Sequence, residues 1–311
     1  MDPTIAFIDV EYLDTAGLIA CGILETEAGL LLVDPGPATA LETLGKKLTA
    51  RGTPFDDVHA LLLTHIHLDH AGATGLIVDR YPHIQVYVHR IGALHLIRPE
   101  KLLSSVKRLY GDDMDRLWGT FLAVPDENVH PLEGGENLDF GGHPIEVAYT
   151  PGHAIHHVSY LDRETGTAFV GDVAGMRIPG VDSIVPITPP PDIDLERWHE
   201  SFEVLRAWQP ERLFLTHFGP SKDVTGHLEE MRCVLGAWSE QVRDSLDDDR
   251  EDSERADAFH DAQITRFRLA MSEQVLPPYE KFGRPENSWY GLARYWRKRN
   301  RKEPHQPPRE A

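Results

Sequence analysis

The chain has 311 residues, of which 50 are acidic and 31 basic, so its formal net charge is −19. Such an acidic chain repels phosphate backbones and anionic membranes, which argues against a nucleic-acid-binding or membrane-surface protein. Cys21 and Cys233 lie far apart and form no CxxC pair, which excludes a disulfide scaffold or a cysteine-rich zinc module and favours a reducing cytoplasm.

Short strands separated by turns are predicted over the first two-thirds of the chain. Segment 58–64 (VHALLLT) ends in a continuous apolar run, which is typical of a strand buried on both faces. Two pairs of strands, separated by Glu-Thr-Glu-Ala and Arg-Glu-Thr-Gly, have the spacing of hairpins. The predicted strands are 17–24, 29–34, 58–64, 84–89, 145–150, 157–162, 167–172 and 212–216.

Three apolar stripes with helical spacing lie between or after these strands. The first is a leucine stripe that ends near Gly52, a C-terminal stop. The second follows Asp194, a good N-cap, and ends before Pro210. The third follows Thr225. We interpret the aromatic residues of these stripes as core packing.

The distribution of helices predicts a core at 1–222 and a helical extension with a polar, locally basic tail at 223–311. A helical insert is predicted at 92–124, where it could overhang a functional site. Its aromatic and sulfur-containing side chains suggest an apolar component of a substrate, although they could equally form the insert's own core. These pocket candidates are Tyr110, Met114, Trp118 and Phe121.

The strongest motif is the segment 64–70, Thr-His-Ile-His-Leu-Asp-His, which directly follows the buried strand 58–64. In an extended segment His65 and His67 point to the same side. The chain must then turn, so that Asp69 and His70 can reach a second point in space. Four such residues within six positions are what a two-metal centre needs, and their nitrogen and oxygen donors suit Zn²⁺, Fe or Mn²⁺.

Three further motifs also lie at the ends of predicted strands. They are Pro151-Gly152-His153, Gly171-Asp172 and Thr216-His217. Functional groups often gather where strands run out into loops on one rim of a sheet. Taken singly, each His or Asp reads as a turn residue, but together with the first motif they bring the candidates to five His and two Asp.

In this order, His-x-His-x-Asp-His, Pro-Gly-His, Gly-Asp and the late Thr-His resemble the metallo-β-lactamase-fold hydrolase superfamily over roughly residues 15–220. The early Val33-Asp34-Pro35-Gly36 segment is similar to its usual opening. The resemblance implies an α/β (α+β) fold in the form of a four-layer αββα sandwich, with two metals at one edge of the sheets.

The resemblance also assigns ligands to two divalent metal ions, with Zn²⁺ preferred and Fe or Mn²⁺ as alternatives. His65, His67 and His153 would hold metal 1, and Asp172 would bridge both metals. A hydroxide shared by the metals is then the implied nucleophile, and Asp69 is the catalytic candidate that orients it or shuttles its proton. The metal 2 ligands would be Asp69, His70 and His217.

The remaining polar candidates keep two interpretations each. Asp34 either accepts a hydrogen bond from a ligand imidazole or is a turn residue before Pro35. His156 and His157 lie beside a ligand motif, but all seven ligand positions are already filled, so we interpret both as supporting or structural residues.

The leading functional hypothesis is a dinuclear hydrolase of a thioester, lactone or other carboxylic ester. The segment 150–157 is similar to glyoxalase II and glyoxalase-II-like hydrolases. Glyoxalase II itself binds glutathione through basic residues in its C-terminal part, for which Lys222 is the candidate. True β-lactamases generally lack the carboxylate that Asp172 would supply.

Two other classes stay open. A persulfide dioxygenase-like oxidoreductase would use the same scaffold with a single iron. A nuclease would be supported by the basic tail, 294–302, although the net charge of −19 and the lack of an additional basic domain argue against it. A purely structural metal site is disfavoured because such sites are closed and rich in cysteine.

The expected partner is a small-molecule substrate, with neither nucleic acid nor membrane, and the chain could form a homo-oligomer. The N-terminal Met-Asp-Pro-Thr lacks the basic and apolar segments of a secretion signal, and the longest apolar stretch, 16–24, is too short to span a bilayer. A cytoplasmic location is therefore expected.

Overall fold

The first sheet contains six strands, and it is built mainly from the N-terminal half of the chain. In the computed structural model, residues 5–177, 183–270 and 285–302 are described. The strands lie side by side in chain order. They are β1 (Ala6–Asp9), β2 (Ala20–Thr26), β3 (Gly29–Val33), β4 (Val58–Leu62), β5 (Gln85–His89) and β6 (Val129–Leu132).

A second six-stranded sheet follows, and a two-stranded ribbon lies beside it. The order of strands in the second sheet is β14-β13-β10-β9-β8-β7, and β11 pairs with β12 in the ribbon. These strands are β7 (Asn137–Asp139), β8 (Pro144–Tyr149), β9 (Val158–Asp162), β10 (Thr167–Phe169), β11 (Met176–Arg177), β12 (Ile184–Val185), β13 (Arg212–Leu215) and β14 (Gly219–Ser221).

Helices connect the parallel strands and cover the outer faces of both sheets. In the first sheet β3 through β6 run parallel, which requires crossover connections, whereas β10 and β13 are the parallel pair of the second. The helices are α1 (Leu41–Arg51), α2 (Leu68–Ala71), α3 (Thr74–Arg80), α4 (Arg90–Ile97), α5 (Glu100–Tyr110), α6 (Met114–Trp118), α7 (Leu195–Trp208), α8 (Val224–Ser245), α9 (Asp252–Ala270) and α10 (Pro285–Lys302).

Three apolar clusters separate the layers. The middle cluster joins the inner faces of the sheets, with Leu31 and Leu62 on one side and Tyr160 and Phe169 on the other. An outer cluster packs α1 through α6 on the first sheet, and another packs α7 through α10 on the second. The expected four-layer αββα sandwich is therefore confirmed.

Local capping agrees with the helix boundaries predicted at Gly52 and Asp194. Gly52 follows α1 with φ 84°, and its N–H donates to Leu48 O. Asp194 caps α7 by accepting a hydrogen bond from Arg197 N. Helix α8, which carries the stripe that follows Thr225, begins at Val224, and its N-cap Asp223 accepts a hydrogen bond from Gly226 N at 2.9 Å.

The predicted extension at 223–311 packs on the core through large aromatic side chains. Trp238 of α8 and Trp289 of α10 are fully buried in the same cluster as Trp198 of α7. The boundary at 222 stays a prediction, and the parts of the extension at 271–284 and 303–311 lie outside the described residues. None of the helices described combines the length and hydropathy needed to cross a membrane.

Candidate metal centre

The seven predicted ligands converge at one rim of the two sheets, because each follows the end of a strand. His65 and His67 follow β4, and Asp69 and His70 belong to α2 directly after them. The second sheet contributes the other three: His153 lies beyond β8, Asp172 in the helical turn Gly171–Ala174 after β10, and His217 beyond β13.

Three imidazoles and one carboxylate oxygen form the first group. His67 Nδ1 lies 3.0 Å from His65 Nε2 and 2.9 Å from His153 Nε2. Asp172 Oδ2 lies 3.3 Å from His153 Nε2 and 3.9 Å from His65 Nε2. Four donor atoms facing one point in this way form a nitrogen- and oxygen-rich site of the kind that Zn²⁺ and Fe prefer.

A second group lies on the other side of Asp172. His70 Nε2 and His217 Nε2 lie 3.2 Å apart. Asp69 Oδ2 lies 3.5 Å from His217 Nε2 and 3.8 Å from His70 Nε2. Asp172 Oδ1 completes this group at 3.1 Å from His70 Nε2 and 3.4 Å from His217 Nε2.

The Asp172 carboxylate therefore presents one oxygen to each group. The side chain is only 1% exposed, and Oδ1 has no hydrogen-bond partner among the described residues. An ionised oxygen that is buried without a partner is costly, unless a cation satisfies it. The residues present thus fit a pair of divalent ions that share this carboxylate.

Hydrogen bonds on the far side of the rings point the ligand nitrogens inward. The Nδ1–H groups of His153 and His217 donate to the carbonyl oxygens of Ile187 and Leu18 at 2.8 and 2.7 Å. His70 Nδ1 donates to Asp34 Oδ2 at 2.8 Å. Because Nδ1 carries the proton in each case, the Nε2 lone pair is left for a metal.

Asp34 holds the centre together from behind. It is fully buried at φ 52° and accepts hydrogen bonds from Thr64 N, Thr64 Oγ1, Thr216 Oγ1 and His70 Nδ1. These four donors come from the ends of β4 and β13 and from α2. Asp34 thus ties the two sheets together beneath the second group and fixes the tautomer of His70.

The electrostatics of the rim favour neutral imidazoles in the first group and ionised carboxylates. Burial lowers the pKa of His153 to about 4, and burial with the neighbouring imidazoles lowers the pKa of His65. Burial alone would raise the pKa of Asp172, but the facing imidazoles hold it well below its usual range. These are the protonation states in which the side chains bind metals.

The surroundings of the second group, by contrast, favour a positive charge. Burial lowers the pKa of His70, but the carboxylates of Asp172, Asp34 and Asp69 outweigh it and hold this pKa well above its usual range. Without a metal ion, a second proton on the His70 imidazole therefore supplies the positive charge. A divalent ion bound here would displace that proton, as metal binding generally does.

An apolar pocket opens over the two groups. Tyr110 and Trp118, both predicted, line it and pack against each other edge-on at 5.2 Å. Met114 and Phe121 instead pack against the outer cluster of the first sheet. The remaining lining residues were not predicted from the sequence; they are Leu68, Val106, Leu109, Met176, Ile187, Pro189, Pro190, Asn287 and Ser288.

His156 and His157 lie behind the ligands. His157 Nδ1 lies 2.9 Å from Thr150 Oγ1, and its ring packs 5.1 Å from that of His65. The His156 ring lies 5.6 Å from that of His67. Burial lowers the pKa of both imidazoles well below the usual value, so both are neutral packing partners of the ligand rings.

Comparison with known proteins agrees with this geometry. The family model described as the metallo-beta-lactamase superfamily matches residues 14–217. The metallo-beta-lactamase fold-containing protein ST1585 of Sulfurisphaera tokodaii is 30% identical over 225 residues, which are 65% of this chain and 84% of that protein. A hydroxyacylglutathione hydrolase of Synechococcus sp. strain JA-2-3B'a(2-13) is 25% identical over 229 residues, which are 70% of this chain and 75% of that protein.

A solved structure extends the similarity in fold to nearly the whole chain. The metallo-beta-lactamase family protein TTHA1429 from Thermus thermophilus covers 95% of this chain and 93% of its own, with a TM-score of 0.70 at 22% identity. Fold, site and relatives together define a metal-dependent hydrolase. The chain belongs to the metallo-β-lactamase superfamily, which confirms the resemblance found in the sequence.

Proposed function

We propose that this protein is a dinuclear metallohydrolase that cleaves a thioester, lactone or other carboxylic ester. The observation that carries the proposal is the Asp172 carboxylate, whose two oxygens face two separate groups of ligands. His65, His67 and His153 would hold one ion. The other ion would be held by Asp69, His70 and His217. Zn²⁺ is our first candidate for both ions, with Fe and Mn²⁺ as alternatives.

Two such ions supply a water-derived nucleophile at neutral pH and polarise the scissile carbonyl. Asp69 is suited to handle the proton of that water, because it is 16% exposed on its side chain and lines the pocket. Burial raises its pKa, but His70 and His217 outweigh that effect and lower it, so Asp69 is ionised and able to accept a hydrogen bond or a proton.

The pocket wall supports a substrate with an apolar part beside the scissile bond. Leu109, Trp118, Met176 and Ile187 line the pocket beside the ligand groups and give it an apolar wall. A water-poor site strengthens the attraction between the developing oxyanion and the groups that face it. The Synechococcus relative is, by its name, a hydrolase of a hydroxyacylglutathione, which favours a thioester among the candidate substrates.

Metal analysis combined with an activity panel tests this proposal. We expect two divalent ions per chain, and hydrolysis of at least one among S-lactoylglutathione, an acyl-homoserine lactone and an aryl ester. Asp69→Asn should fold but lose about 100-fold or more of kcat, the range attributed to a positioned proton acceptor. Asp56→Asn, an exposed site far from the rim, is the matched control and should keep full activity.

Two results would contradict the proposal. One is undiminished hydrolysis by Asp69→Asn or Asp69→Ala. The other is a single iron per chain with oxygen consumption and no hydrolysis, which is the behaviour of the dioxygenase alternative.

We also infer a cytoplasmic location. Its support is that Cys21 is buried and Cys233 exposed, both as free thiols, and that burial raises the pKa of the Cys21 thiol. Cell fractionation tests the location directly, and recovery of the protein from a secreted or envelope fraction would contradict it.

A further inference from the structure

Helix α10 connects the metal centre to a basic surface. Its first turn reaches the pocket, where Asn287 and Ser288 form part of the wall. One turn further on, Gly291 packs so closely on the 188–190 segment that an added Cβ would lie 1.9 Å from Thr188 O. The position of the helix relative to the pocket is therefore fixed by backbone packing.

The two faces of α10 have opposite character. Trp289, Leu292 and Ala293 are fully buried against the core. On the other face, positions spaced by three or four residues share a surface of the helix. That surface carries Asn287, Tyr290, Arg294, Arg297, Lys298 and Arg301.

This exposed face forms one wall of a groove, and α5 forms the opposite wall with Arg108 and Leu109. Leu109, Pro190 and Asn287 line both the groove and the pocket over the metal centre, so the two are continuous. We call this feature the basic groove, and its cations are Arg108, Arg294, Arg297, Lys298 and Arg301.

The cations of the basic groove differ in what they already bind. Arg297 is paired with Asp252, and Arg294 Nε donates to Pro191 O at 3.1 Å. Within the described ranges, no acidic side chain forms an ion pair with Lys298 or Arg301. A helix dipole favours cations in the last turn, which accounts for Arg301 on α10 and Arg108 on α5 but not for Arg294, two turns before the end of α10.

We infer that the basic groove binds the phosphate-bearing end of a carboxylic thioester whose acyl group lies in the apolar pocket over the metal centre. The inference rests on the proposed function and names its substrate class. A rise of 1.5 Å per residue places Arg294 about 10 Å and Arg301 about 20 Å along the helix from Asn287. The substrate therefore has a long uncharged arm between its scissile carbonyl and its phosphates.

The net charge of the chain makes this recognition selective. At −19 the protein repels anions in general, so a local run of cations beside the pocket directs a phosphate to one place. In the reaction water adds to the acyl carbon, the C–S bond breaks, and the products are a carboxylic acid and a thiol. The phosphate group stays on the thiol and takes no part in this step.

A pair of thioesters with the same acyl group tests the inference. Hexanoyl-coenzyme A carries phosphates at the end of a long arm, whereas hexanoyl-N-acetylcysteamine carries none. For the wild-type holoenzyme at low ionic strength, kcat/KM should be at least about tenfold higher for the phosphate-bearing thioester, and added salt should remove the difference.

The double variant Lys298→Glu/Arg301→Glu should lose this preference while its turnover of the uncharged thioester stays unchanged. The matched control is Lys46→Glu/Arg266→Glu, which changes the net charge equally at exposed positions on α1 and α9 and should keep the preference. Calorimetry with desulfo-coenzyme A gives a readout without turnover, and its affinity should fall only in the Lys298/Arg301 variant.

The possible failures are distinguishable. If the wild type hydrolyses both thioesters equally and charge reversal changes nothing, the basic groove inference is wrong and the proposed hydrolase stands. If the metal-loaded protein hydrolyses neither thioester nor any other ester, the proposed function fails and the inference fails with it. If single-stranded RNA binds the groove while desulfo-coenzyme A does not, the groove serves a nucleic acid and the inference is wrong.

Discussion

Replacing Asp34 by Asn probes how the protein supports its second group of ligands. Asp34 Oδ2 accepts from Thr64 Oγ1, Thr216 Oγ1 and His70 Nδ1, and Oδ1 accepts from Thr64 N. An Asn can place its carbonyl oxygen at the Oδ2 position, and its NH₂ group then faces the Thr64 N–H. Asn also tolerates φ 52°, so the backbone is not strained by the change.

The magnitude follows from these contacts. One buried N–H left without an acceptor costs about 1–3 kcal/mol, so the metal-free Asp34→Asn protein should unfold with a free energy lower by that amount. Asp34→Ala leaves four donors unpaired and places Ala at a positive φ, and it should cost at least about 4 kcal/mol. Asp34→Ala also removes the acceptor of His70 and should weaken metal binding at the second group about 10–100-fold, whereas Asp34→Asn keeps a carbonyl oxygen at that place.

Two assays separate these effects. Denaturant unfolding of the chelator-treated protein gives the free energy of unfolding, and competition with a chromophoric chelator gives both metal affinities. Asp139→Asn is the control, since Asp139 accepts a backbone N–H in an exposed turn away from the rim. Unchanged stability in Asp34→Asn, or unchanged affinity for the second metal in Asp34→Ala, would contradict this role of Asp34.

Three further changes test the fold around the centre. Burial lowers the pKa of His227 to about 4, so this group stabilises the folded state above its ordinary pKa of 6.5 and loses that contribution as the pH falls towards 4. Between about pH 7.5 and 5, the free energy of unfolding of His227→Gln should therefore fall by about 2 kcal/mol less than that of the wild type, measured by denaturant unfolding. Gly152→Ala should lower the free energy of unfolding by at least about 2 kcal/mol and disturb metal binding, because φ is 134° and the new Cβ would lie 2.4 Å from Trp198 Cα. The control Gly236→Ala, with open space around the new Cβ, should not destabilise the protein. Gly291→Ala should lower the thermal midpoint by displacing α10; unaltered midpoints in both destabilising variants would contradict the packing described.

The central strands were predictable because their sequences are continuous or alternating in hydrophobicity, as in β4 and β9. The edge strands β6 and β14 were missed, and both contain a proline, Pro131 and Pro220. Proline cannot donate a hydrogen bond to a neighbouring strand and is confined to edge strands, so its presence argues against a strand when only the local sequence is considered. Strand β1, which is only four residues long, was missed as well.

The candidate ligands were predictable as a set because each follows a strand end and together they form a spaced motif. Apart from Tyr110 and Trp118, the pocket wall was not predictable, since its residues come from segments far apart in the chain. Ile187, Pro189 and Pro190 lie in an irregular segment with no motif, and Asn287 reaches the pocket only because α10 packs on the core. Met114 and Phe121 are apolar like the pocket residues but pack against the outer cluster of the first sheet, which local sequence does not determine.

The most direct test of the central claim is anomalous diffraction from crystals of the metal-loaded protein. The account predicts two metal peaks about 3.5–4 Å apart, one on each side of the Asp172 carboxylate, with His67 and His217 bound to different ions. A single peak, or two peaks that do not share Asp172, would contradict it.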